Sequence, residues 1–246
     1  MRYAEHAPAP ELRRFVDRYW SLEDAVPCAE PHLVFPDGHP EWVMHTGTPF
    51  AGQSSCLYIG QMTTPVQLRA AGSVRVFGVR FRPEGAWAFC GVPQDRFRDS
   101  ICDLTLVVPS ARRWRELAGN GDAVLETDRF LLGVLRRNWD SSQVAGAASY
   151  LLAGSGLQAT ASHCGWSVRQ LERAVLERIG LSPKKLARLG RFHRALRLRA
   201  AGEGWAEVAA GCGYTDQSHL IRDFRQFAGA APSQLRPTEM TAAMLR

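Results

Sequence analysis

A motif repeated near the C-terminus constrains this chain more than any other feature. The first copy reads Cys164-Gly165-Trp166-Ser167, continues through a polar–apolar helical pattern, and ends at Gly180-Leu181-Ser182-Pro183. The second reads Cys212-Gly213-Tyr214-Thr215-Asp216, repeats the pattern, and ends at Gly229-Ala230-Ala231-Pro232. Aligned on Leu171 and Leu220, the copies also match Arg173 with Arg222, Val175 with Phe224, Gly180 with Gly229 and Pro183 with Pro232, all at an offset of 49. A short helix, a glycine turn and a capped second helix make a helix-turn-helix. The chain must therefore present two of them in tandem.

Local chemistry predicts the elements. A short helix over 157–163 turns at Cys164-Gly165, and Ser167 is placed to cap a helix over 168–179 that stops at Gly180. Pro183 opens a long helix to about residue 201; helices over 205–212 and 217–227 then repeat the motif, with Asp216 as cap. Leu171, Val175 and Ile179 recur at helical spacing and should face a core, as should Leu220, Phe224 and Phe227. Arg169, Gln170, Glu172 and Arg173 then point outward, as do Gln217, Ser218, Ile221 and Arg222. Arginine can pair bidentately with guanine and glutamine with adenine, so Arg169, Arg173, Gln217 and Arg222 are candidate base readers. Arg173 and Arg222 would serve equally as phosphate contacts or as ion-pair partners of Glu172, Glu177 or Asp223. Trp166 and Tyr214 read as packing residues.

The charge is distributed to match. Residues 1–154 carry 16 arginines against 17 acidic residues, whereas 155–237 carry 13 lysines and arginines against 6. A basic module joined to a neutral one implies that the C-terminal part meets a polyanion, although a solvated basic face has the same composition. The long helix carries Lys184, Lys185, Arg188, Arg191, Arg194, Arg197 and Arg199. These read as phosphate contacts or solvated surface. Its 18 residues from Lys184 to Ala201 span roughly 27 Å at ~1.5 Å each. That length could hold two recognition helices about one DNA turn, ~34 Å, apart.

The N-terminal half reads differently. A short helix over 12–16 is expected, then strands over 32–35, 41–45, 57–60, 66–70 and 74–81, broken at Pro36-Asp37-Gly38, Gly47 and Ala71-Gly72. Val74 to Phe81 does not alternate cleanly in polarity, so that strand should be covered on both faces. Helices are expected over 83–89, 111–118 and 122–138. This gives an α+β chain: a β-rich N-terminal domain over 1–140, with a cupin-like barrel as one form and a helical extension, an all-α module over 141–237, and a tail over 238–246. The stretch Asn138-Trp139-Asp140-Ser141-Ser142 is the boundary.

Residues 142–237 resemble the DNA-binding domain of AraC/XylS-type transcription regulators. The resemblance rests on Gly-Trp-Ser-x-Arg-x-Leu-x-Arg through Gly-Leu-Ser-Pro, and on 209–220 through Phe224-Arg225 and Pro232. It implies base-facing roles for Arg169, Glu172 and Arg173 in the first copy and for Gln217, Ser218 and Arg222 in the second. Lys184, Lys185, Arg188 and Arg225 are expected on phosphates. The first copy departs from the pattern: Val175-Leu176 stands where the family has Phe and then Lys or Arg, which removes one basic contact. Upstream, 14–20, 35–38, 59–61 and 78–83 are similar to a less characterised domain placed before such modules in bacterial regulators. Here Glu41-Trp42 follows the Pro-Asp-Gly turn where that domain carries Asp-Leu. The resemblance implies an effector or assembly role.

An enzyme fused to a DNA-binding module is the alternative, either metal-dependent or built on a reactive cysteine. His32, Asp37, His39, Glu41 and His45 are clustered, but without His-x-His or His-Glu-x-x-His spacing. Cys90 and Cys102 have no neighbour in sequence that would lower their pKa, and no C-x-x-C pair exists among the six cysteines. No nucleophile elbow, P-loop or dinucleotide fingerprint is present. The expectation is thus a cytoplasmic regulator with no catalytic residues, no metal and no cofactor. Its partners would be double-stranded DNA, RNA polymerase, a small-molecule effector and a second copy of the chain, with no membrane. Trp20, Trp42, Phe77, Phe81 and Trp87 are candidate walls of an effector pocket, or simply core.

Overall fold

The computed structural model describes residues 2–24, 32–46, 54–68, 73–136 and 141–235. The 138–140 part of the expected boundary, the 238–246 tail and Cys28 lie outside them.

Among the described residues of the N-terminal half there are eight strands: β1 (Arg2–His6), β2 (Val16–Asp24), β3 (His32–Val34), β4 (Glu41–Thr46), β5 (Cys56–Ile59), β6 (Val66–Leu68), β7 (Val74–Phe81) and β8 (Ile101–Asp103). Six of them make one antiparallel sheet in the order β1-β2-β7-β4-β5-β8, and β3 pairs with β6 separately. The barrel expectation is corrected here: β1 and β8 are two distinct edges and the sheet does not close. The expected helix over 12–16 is corrected too. A 3-10 turn at Pro10–Leu12 leads directly into β2. Local periodicity favoured a helix there, but pairing with β1 and β7 draws Val16 onward into the sheet.

Helices explain why the sheet can stay open. Helices α1 (Trp87–Cys90), α2 (Ala111–Asn120) and α3 (Ala123–Val134) follow β7. They cover the face that carries Tyr19, Trp42, Tyr58, Phe77, Val79 and Phe81, so no second sheet layer is needed to bury it. Trp42 packs edge-on to Phe81 at 5.0 Å and is fully buried. Val43, Leu57 and Val76 form a smaller cluster on the opposite face, so β7 is buried on both sides as its sequence implied. Gly78 is required there: a Cβ would lie 2.1 Å from the Trp20 ring on the paired strand.

The C-terminal half is helical: α4 (Ser142–Leu152), α5 (Leu157–His163), α6 (Val168–Ile179), α7 (Pro183–Ala200), α8 (Trp205–Gly211) and α9 (Gln217–Ala228). Leu171, Val175, Ile179, Phe224 and Phe227 are completely buried, as the helical spacing demanded. The two halves dock closely. Phe35 leaves its own sheet and packs on Phe192 of α7 at 5.9 Å, within the helical core. His193 on α7 bonds the Pro36 carbonyl at 2.6 Å.

Candidate nucleic-acid interface

Each helix-turn-helix is set by its own local chemistry. Gly165 and Gly213 adopt φ of 67° and 71° in the turns, where a side chain would be strained. Helix α6 begins with a full capping box. The Ser167 hydroxyl accepts from the Gln170 amide at 3.2 Å, and the Gln170 side chain accepts from the Ser167 amide at 2.8 Å. Helix α9 begins instead with a charged cap, Asp216 accepting from the His219 amide at 2.8 Å. That hydrogen bond, foremost, lowers the Asp216 pKa, and the dipole at the helix N-terminus favours the same charge. Gly180 and Gly229 end the two helices in left-handed conformation.

The six residues matched to base-facing positions are all exposed: Arg169, Glu172 and Arg173 on α6, and Gln217, Ser218 and Arg222 on α9. They lie in the N-terminal halves of their helices, opposite the buried stripes. Arg222 Nε donates to the Ser218 carbonyl one turn back at 3.3 Å. Asp223, a partner considered for Arg222, faces inward and is fully buried.

The basic helix divides its charges between two tasks. Arg188 donates to Asp223 through Nε at 2.9 Å and Nη2 at 2.7 Å, and to Gln226 at 2.8 Å. Arg191 lies over the Tyr214 ring at 4.9 Å and donates to the Gly213 carbonyl at 3.2 Å. Arg199 bonds the Glu203 carbonyl, and Arg194 bonds the carbonyl of Ala153. Lys184 and Arg225 are exposed, while Lys185 is half-buried and its pKa is lowered by burial. The sequence missed the Arg188–Asp223 pair. Its only signal was an acidic residue on the otherwise apolar stripe of α9.

The aromatic pocket candidates do not converge. Trp42, Phe77 and Phe81 sit in the core against Phe89 and Trp114. Trp20 lies on the opposite sheet face, and Trp87 is half-buried with Arg178 5.8 Å above its ring. The His and carboxylate cluster is spoken for elsewhere. Arg80 pairs with Asp37 and lies 3.7 Å from Glu41, His39 bonds the Phe81 carbonyl at 2.7 Å, and His45 bonds Ser54 at 2.9 Å. Among the described residues no group of three His, Cys, Asp or Glu is placed to hold a metal ion. Burial pushes the Cys90 thiol up to about 12 and raises Cys102, which keeps both protonated and poorly nucleophilic at neutral pH. No helix among the described residues is long and apolar enough to cross a membrane.

Two family models match parts of the chain. Residues 160–238 match a family model described as a helix-turn-helix domain, and residues 4–103 match one described as a domain of unknown function. No curated protein matches the chain. Among solved structures, the chain is similar to ToxT from Vibrio cholerae O395, with 11% identity, 97% of this chain and 96% of that one covered, and a TM-score of 0.42. It is also similar to unsaturated fatty acid-bound wild-type ToxT from Vibrio cholerae strain SCE256, with 11% identity, 94% and 92% covered, and a TM-score of 0.40.

Proposed function

We propose that this chain, whose C-terminal module is a helix-turn-helix domain of AraC type preceded by a domain of unknown function, is a sequence-specific DNA-binding transcription regulator. It reads two successive major-groove segments with α6 and α9. The observation that carries this reading is the paired display of Arg169, Glu172 and Arg173 against Gln217, Ser218 and Arg222. Both trios are exposed on the outward N-terminal halves of helices whose other faces are locked in one core. Lys184, Lys185 and Arg225 approach the phosphate backbone, and Arg188 serves by holding α9 in place. Helix α7, with 18 residues, supplies roughly 27 Å at ~1.5 Å per residue. This is short of one DNA turn, so either the bound duplex bends or the protein flexes. The N-terminal domain modulates binding through a small molecule, and its docking on α7 through Phe35 and Pro36 supports that route.

Selection of duplexes from a random library by the full chain tests the reading, and failure to enrich any sequence would overturn it. On the selected duplex, Arg222→Ala should cost ~1–3 kcal/mol and relax preference at one base pair. A loss uniform across sequences, with a shallower salt dependence, would instead make Arg222 a phosphate contact.

A further inference from the structure

A cleft of about 470 Å³ opens between the N-terminal sheet and α4. That volume lies within the range of small-molecule sites, roughly 300–1,000 Å³. Arg13, Arg14 and Arg82 line one side, and Ala145, Ala148 and Leu152 of α4 line the other. The arginines are pre-positioned without being neutralised. Arg13 Nε donates to the Pro8 carbonyl at 3.3 Å, Arg82 Nε donates to the Arg13 carbonyl at 2.8 Å, and Arg14 lies 4.4 Å above the Phe15 ring. None of the three forms a salt bridge among the described residues. The carboxyl in the lining is Glu84, which is buried and whose pKa burial raises to about 7. It is therefore partly charged at neutral pH and, acting mainly on Arg82, offsets the three arginines only in part. Three arginines across from an α4 face on which Ala145, Ala148 and Leu152 are interspersed with Ser142 and Ser149 suit a ligand with one anionic end and one small, mainly apolar body.

We propose that this cleft binds a small organic anion, its carboxylate or phosphate group held by Arg13, Arg14 and Arg82 and its apolar body lying on Ala145, Ala148 and Leu152. Two contacts would carry occupancy to the DNA-binding module. Leu152 lies against Gly190 of α7 so tightly that a Cβ on Gly190 would meet the Leu152 carbonyl at 2.2 Å. His39, which also lines the cleft, has its amide on Asp37 at 2.9 Å, next to the Pro36 carbonyl that receives His193 of α7. Both routes end on the helix that spaces α6 and α9. The consequence for DNA rests on the regulator reading, whereas the binding itself does not.

Ligand-observed NMR on the full chain tests the site with three probes: phenylacetate, phenyl phosphate and uncharged 2-phenylethanol. At least one anion should bind saturably and at least about tenfold more tightly than the alcohol, and the tighter anion identifies the head group. Combining Arg14→Gln with Arg82→Gln should weaken that anion by about tenfold or more. Ala145→Phe should fill the cleft and abolish binding. Both variants are expected to keep the wild-type circular dichroism melt; should Ala145→Phe unfold, the arginine pair still decides. Equal binding of all three probes, indifference to the arginine substitutions, or no anion saturating below ~20 mM would overturn the proposal. The same samples are then titrated with the selected duplex. Anion binding without duplex binding removes the regulator reading and leaves the site, and duplex binding without anion binding does the reverse.

Discussion

The two helix-turn-helix copies share a fold and differ in what holds them. Helix α6 is anchored mainly by apolar packing and a neutral cap. Its cap is a hydroxyl–amide box, its body packs through Leu171, Val175 and Ile179, and its end meets the N-terminal domain. That last contact is close: Gly180 lies against the backbone of Gln94, and Arg178 covers Trp87. Helix α9 adds charge to its own buried stripe of Leu220, Phe224 and Phe227. Asp216 caps it, and buried Asp223 ties it to Arg188 and, at 3.8 Å, to Arg191 on α7. Position 176 holds a half-buried leucine. The end of α6 thus rests on the backbone of the N-terminal domain, whereas α9 is tied to the spacer helix by an ion pair and touches the N-terminal domain at Pro65.

The comparison can be broken at its strongest point first. Arg188→Ala leaves the Asp223 carboxylate buried without its main partner, and removing one member of a buried pair costs ~3–5 kcal/mol. Chemical denaturation of the full chain should show that loss. If Arg188→Met with Asp223→Leu does not recover most of it, the pair is not what anchors α9. Gly180→Ala comes next. Gly180 has φ of 92°, and a Cβ there would meet the Gln94 carbonyl at 2.8 Å. The left-handed conformation alone costs about 1–2 kcal/mol, and the clash adds to it. Gly229→Ala carries the conformational cost but meets only a Pro65 ring carbon at 3.3 Å, so its loss should be the smaller. Equal losses would remove the claim that the N-terminal domain braces α6 in particular.

The caps give the smallest effect and the sharpest distinction. Ser167→Ala should cost about 1 kcal/mol at any pH between 3 and 8. Asp216→Ala should cost stability only while the carboxylate is charged. The folded-state pKa of Asp216 lies below its ordinary value, so its contribution is complete above that ordinary value and is lost as pH falls through the folded-state value. Thermal melts of both variants across the acid range read this directly. A pH-independent deficit in Asp216→Ala would make its role steric.

Much of the C-terminal half was legible because its signals are local. Ser167, Gly180, Pro183, Asp216 and Gly229 each act on backbone groups within four residues, and the helices begin and end where those residues said. Strand β7 was legible for the same reason, since β-branched and aromatic residues dominate it throughout. Strands β1 and β2 were not. Their partners lie 13 to 65 residues away in the chain, and nothing near Arg2 or Val16 announces them.

The sequence by itself determined two capped helices, the stripes that bury them, and the six side chains they hold out. Periodicity and capping are decided within one or two helical turns, so these follow from neighbours along the chain. Tertiary structure alone decided that the sheet stays open, that Phe35 and Pro36 dock on α7, that Arg188 closes on Asp223, and that a cationic cleft forms beside α4. Each of these joins groups distant in sequence whose pairing depends on how whole elements pack. The duplicated motif could therefore announce the two helices while leaving open what positions each of them.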